Sequence, residues 1–139
     1  MNITEHLINY RFYQINIESL KESIEALRKQ AGGVKGIDYS EDTRSSNTVQ
    51  SAVENMVLNI VEKENELKNK QVLVRAIDRA VEELEDVDKQ IIKLKYMDRS
   101  SFEVSWEQVA REVGFERTGC IRRKNKALEK IEIALSGVV

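Results

Sequence analysis

Apolar residues recur at heptad spacing over the first thirty positions. Ile3, Tyr10, Ile17 and Ile24 fall every seven residues, with Tyr13, Leu20 and Leu27 between them. This pattern predicts one long amphipathic helix from residue 3 to about 30, with a seam that calls for a partner helix. His6 also falls on that seam, where it reads as a tolerated seam residue rather than a ligand. Gly32, Gly33 and Gly36, followed by Asp38, Ser40, Asp42, Ser45 and Ser46, interrupt the pattern and predict a mobile loop over about 31–46. Ser46 or Asn47 is then placed to cap a second helix running to Leu84 or Glu85. Val49, Met56, Ile77 and Leu84 share one heptad position there, and Val53, Ile60, Leu67, Val74 and Val81 the other; Lys63 and Lys70 interrupt the seam. At about 1.5 Å per residue these helices span about 40 and 55 Å. They suggest a coiled-coil-like antiparallel hairpin, closed within one chain or exchanged between two subunits.

A denser set of elements follows. Asp86 or Asp88 is placed to start a third helix over roughly 87–97, and Asp98–Val104 reads as a polar connection. Ser105, with Gln108 three residues on, has capping-box spacing for a short helix from Trp106 to Val113. Gly114 supplies a corner, and a last helix is expected from Arg117 or Thr118 to about Leu135. Two helices joined through so tight a turn need a small residue at their closest approach and a small shared core. Ala110 fits the first demand, and Val109, Val113, Phe115 and Cys120 the second. Thr118 is a candidate cap for the last helix. The expected fold is all-α, with a long helical hairpin over 1–85 for oligomerisation or docking and a helix-turn-helix domain over 86–139.

Charge turns this arrangement towards a function. The 139-residue chain has a formal net charge of only −2. Arg117 to Lys130 nevertheless holds six basic residues against one acid, whereas the chain before Ser105 carries a net −4. A basic helix on an acidic body points to a localised polyanion site. Arginine bonds guanine in bidentate fashion, and lysine or a helix-start amide holds phosphate. Arg122 is therefore expected to read bases, with Arg117, Arg123 and Lys126 as phosphate clamps and Thr118 and the Gly119 amide assisting.

Other chemistry is thinly provided. Cys120 is the only cysteine and His6 the only histidine, so no catalytic constellation, metal site or cofactor is expected. Cys120 reads as a small buried hydrophobe, Trp106 as a packing anchor, and the glutamate runs near 62–66 and 82–86 as solvated helix faces. No apolar run approaches the ~20 residues of a membrane span. No signal peptide is visible, which suggests a reduced, cytoplasmic setting.

The segments Leu84–Tyr96, Ser105–Gly114 and Lys126–Ile131 together resemble region 4 of sigma-70-type factors. That region is implied to recognise promoter −35 elements and to touch RNA polymerase. The whole layout, with its helical N-terminus, Gly/Ser/Asp-rich loop, long helix and sigma-region-4-like end, resembles phage and prophage transcriptional regulators of the ArpU and RinA kind. The resemblance places Trp106, Arg117, Thr118, Arg122, Arg123 and Lys126 in the DNA-facing part of the motif. It implies a regulator of late phage genes that binds double-stranded DNA. Two alternatives share the helical plan: a phage small terminase-type packaging protein, and a helical interaction module that does not touch DNA.

Overall fold

The computed structural model describes residues 2–35, 43–98 and 104–139, with side chains left undescribed over 33–49. The protein is all-α: its elements are α1 (Ile3–Ile8), α2 (Tyr10–Lys35), α3 (Thr43–Glu82), α4 (Asp86–Ile92), a π-helical turn (Lys93–Met97), α5 (Trp106–Val113) and α6 (Arg117–Ala134). No strand occurs among the described residues.

The chain forms two compact units. One comprises Met1–Gln14 and Val72–Val139, and the other Ile15–Gln71. This division differs from the expected boundary at 85/86. The first fourteen residues and the end of α3 belong with the C-terminal helices, because α1 packs on the π turn and on α6. Leu7 of α1 and Ile77 of α3 are wholly buried in that unit, as are Ile91, Ile92, Val109, Cys120, Ala127, Ile131 and Leu135. Tyr10 donates a hydrogen bond to Asp78, and the His6 ring is 2.9 Å from the Tyr13 hydroxyl.

The unit spanning Ile15–Gln71 contains stretches of α2 and α3 that run side by side in opposite directions. Arg28 is ion-paired with Glu64, and Lys21, Ile24, Glu25 and Arg28 line a groove with Glu64 and Leu67. Ile17, Leu20 and Ile24 are buried, as the heptad seam predicts. On α3, Val53, Met56, Ile60 and Leu67 are only half-buried.

Several boundaries move. The first helix is interrupted at Asn9, whose φ of −86° and ψ of 0° leave the helical region. A short polar side chain that bonds to nearby backbone competes with continued helix, which makes asparagine a natural break. α2 continues through Gly32 and Gly33 to Lys35. A helical glycine costs only about 1 kcal/mol, so it weakens a helix without forbidding it. α3 begins at Thr43, which puts Ser46 and Asn47 inside it instead of at its cap. The rest of the expected loop, 36–42, lies outside the described residues, as does 99–103 of the expected Asp98–Val104 connection.

The expected helix over 87–97 is α4 plus the π turn. The Asp98 amide donates to the Lys93 carbonyl at 2.7 Å, an i→i+5 bond. The wider turn brings Tyr96 and Met97 into the core five residues after Ile91 and Ile92. Lys95 donates to the Val104 carbonyl at 2.6 Å, bracing the start of α5.

Candidate nucleic-acid interface

The basic helix is built from the core outwards. α4, α5 and α6 pack on one another around Ile91, Val109 and Cys120, with Val87, Leu94, Val104, Trp106, Ala110 and Val113 around them. Ser105 caps α5: its hydroxyl accepts from the Gln108 amide at 3.2 Å, and the Gln108 side chain accepts from the Ser105 amide at 3.1 Å. Two first-turn donors are thereby satisfied reciprocally. Gly114 ends α5 at φ 78°, and its amide bonds the Ala110 carbonyl at 3.0 Å. An added Cβ would meet no atom there, so the demand for glycine is conformational, not steric. Phe115 and Glu116 complete the link to α6.

α6 buries Cys120, Ala127 and Ile131, a stripe that fixes which way its other residues face. With about 100° between successive residues, Thr118, Arg122, Asn125 and Glu129 fall on the opposite side, and all four are exposed. Arg117 and Lys124 lie on one flank of that face, and Lys126 and Lys130 on the other. Among the described residues Arg117, Arg122 and Lys126 make no ion pair, and each is exposed. Gly119 is half-buried in the first turn. Thr118 does not cap the helix. The helix starts at Arg117, two residues earlier than a Thr118 cap requires, so the cap position is Glu116, which makes no side-chain cap bond.

Arg123 departs from its expected role as a phosphate clamp. Its guanidinium donates to Asp88 at 2.9 Å and reaches Glu85 at 3.5 Å. It also lies 5.0 Å from the centre of the Phe115 ring. The hydrogen bond to Asp88 raises its pKa against the cost of desolvation, with further attraction from Asp88 and Glu85. Asp88 is buried and needs a partner, and Arg123 is one turn from Cys120 on the side facing α4. The residue therefore braces α4 against α6, and a phosphate would have to compete with two carboxylates for it.

Trp106, the first residue of α5, is half-buried against the core. The Lys95 and Lys124 ammonium groups lie 5.0 and 5.6 Å from its ring centre. This is the packing-anchor role, with two cations held by the indole face. Cys120 is wholly buried, and its thiol pKa is pushed up by burial, partly offset by the nearby Arg123 charge. Asn125 was not singled out from the sequence, although its i+3 spacing from Arg122 and i+7 spacing from Thr118 already place it on the same face.

Among the described residues no group of three His, Cys, Asp or Glu could hold a metal ion, and no helix is long and apolar enough to cross a membrane. Fold and surface thus define an all-α protein whose last helix exposes Arg117, Arg122 and Lys126 without an ion-pair partner among the described residues, with Glu129 on the same face. The chain belongs to the family described as protein of unknown function (DUF722), whose model matches residues 6–133. No curated protein and no solved structure matches it.

Proposed function

We propose that the chain is a sequence-specific regulator of transcription that binds double-stranded DNA through α6. The supporting observation is the lateral order of that helix. A polar centre of Thr118, Arg122 and Asn125, ending at Glu129, stands opposite the buried stripe, with Arg117 and Lys124 on one flank and Lys126 on the other. A helix lying in the major groove meets base edges along its centre and a phosphate strand on each side. Arg122 reads guanine, Asn125 is suited to adenine, and Arg117 and Lys126 hold opposing phosphates. The uncapped first turn, with the amides of Thr118 and Gly119, favours a phosphate near the start of α6.

The resemblance to sigma region 4 and to phage regulators of the ArpU and RinA kind supports action at promoters in the bacterial cytoplasm, with RNA polymerase as a second partner. The test is retardation of the DNA flanking the protein's own gene, followed by footprinting. Arg122→Ala is expected to weaken the cognate complex by about 1–3 kcal/mol and relax preference at one base position. Lys126→Ala is expected to weaken all sequences alike and lower the salt slope by about 1. Unchanged binding by Arg122→Ala would remove α6 from the interface.

A further inference from the structure

The unit spanning Ile15–Gln71 leaves a second apolar stripe on α3, facing away from the seam with α2. Val57, Leu58 and Val61 are 49, 61 and 46 % exposed. With about 100° per residue they fall in one sector, roughly a third of a turn from the half-buried Val53, Ile60 and Leu67. Glu54, Asn65 and Lys68 share the sector, and all three are exposed. The inward seam is itself only half-covered on its α3 side. Two helices alone give little burial, and further helices against this stripe would supply more.

The order of charges along the stripe selects the occupant. Glu54 lies one heptad before Val61 and Lys68 one heptad after it, about 10 Å to either side along the axis. Among the described residues neither Glu54 nor Lys68 has an ion-pair partner. A parallel copy of α3 would set Glu54 against Glu54 and Lys68 against Lys68. An antiparallel copy related by a two-fold axis at Val61 sets each Glu54 opposite a Lys68 and brings the two Val61 side chains together on the axis, with Val57 and Leu58 about one turn away from it. The stripe is thus complementary to itself in one orientation, as a two-fold interface requires.

We infer that the outer face of α3 is a homodimer interface, with two chains crossing antiparallel at Val61 to make a four-helix arrangement. The inference goes beyond the DNA-binding reading and stands without it, because it is tested with the DNA-free chain. The full-length protein, measured by sedimentation equilibrium, is expected at twice its 16.0 kDa chain mass. Val61→Lys places two ammonium groups together on the axis and is expected to raise the dimer dissociation constant at least about 100-fold. Glu54→Lys and Lys68→Glu are each expected to raise it about five- to tenfold, and the double exchange to restore it, since each dimer contains the pair twice.

Because Cys120 is buried, introduced thiols report orientation cleanly. A mixture of Glu54→Cys and Lys68→Cys chains should cross-link 54 to 68 in preference to 54 to 54. Helical circular dichroism of each variant separates lost association from lost fold. A single-chain mass at about 100 µM, an oligomer indifferent to Val61→Lys with its helicity intact, or 54-to-54 cross-linking would overturn the inference. Failure of DNA binding with the dimer intact would count against the regulator reading alone.

Discussion

The two units of the chain bury their apolar residues to different depths. In the unit built from Met1–Gln14 and Val72–Val139, Leu7, Ile77, Ile91, Ile92, Val109, Cys120, Ala127, Ile131 and Leu135 are wholly enclosed. In the unit spanning Ile15–Gln71, Ile17, Leu20 and Ile24 are buried but the facing residues of α3 are not. The first unit packs α1, α4, the π turn, α5 and α6 on one another, so a central side chain is covered from several elements. In the second, among the described residues, α2 and α3 have only each other to pack against. A positioned recognition surface is better mounted on the first kind of scaffold, since its helices cannot shift without opening the core. A self-associating surface suits the second, whose seam is incomplete without further helices.

Truncation should expose this difference most strongly. Ile91→Ala removes a wholly buried side chain between α5 and α6 and is expected to cost about 3–4 kcal/mol in urea unfolding. Ile60→Ala removes a half-buried one and is expected to cost about 1 kcal/mol at concentrations where the chain is a monomer. Equal costs would mean that the second unit is packed as tightly as the first.

Glycine substitutions should separate the units by sign. Gly114→Ala forces a side chain into φ 78° and is expected to destabilise by about 1–2 kcal/mol, with the turn between α5 and α6 affected first. Gly32→Ala falls inside α2, where an added Cβ meets nothing, and is expected to stabilise by up to about 1 kcal/mol. Thermal unfolding of the two variants checks both signs. Ser105→Ala, which removes half of the capping box, is expected to cost about 1 kcal/mol.

The same contrast explains how much could be read from the chain alone. Ser105, Gln108 and Gly114 carry local signals whose physics is complete within a few residues, and α5 begins and ends where they indicate. The seam of α2 was equally legible, because heptad spacing needs no knowledge of the partner. The brace from Arg123 to Asp88 was not legible, since the two residues are far apart in sequence and only the packing of α4 on α6 joins them. Nor was the union of α1 with the C-terminal helices, because an apolar residue such as Leu7 does not indicate which core it enters. The π turn was hidden for a related reason: burial of Tyr96 and Met97 selects it, and the sequence fits an ordinary helix as well.

A final difference involves protons and falls wholly within the first unit. Tyr10 has its pKa pushed up to about 12, first by burial, then by the hydrogen bond it donates to Asp78, and then by the negative charges of Asp78 and Asp98. In the unfolded chain a tyrosine titrates near 10. Below that value the phenol is protonated in both states, and the folded state keeps the full benefit of the bond to Asp78. Between 10 and 12 the folded state holds a proton that the unfolded state has lost, so stability falls as pH rises through this window. Alkaline titration followed by phenolate absorbance should show a late component that Tyr10→Phe diminishes. Asp78→Asn should move that titration down towards 10 and flatten the loss of stability, since the amide bears no charge to oppose ionisation. Burial also raises Tyr13 and Tyr96, so the comparison must be made between variants and not on the total absorbance. A late titration undiminished in Tyr10→Phe would show that Tyr10 contributes none of it and would detach the shift from the bond to Asp78.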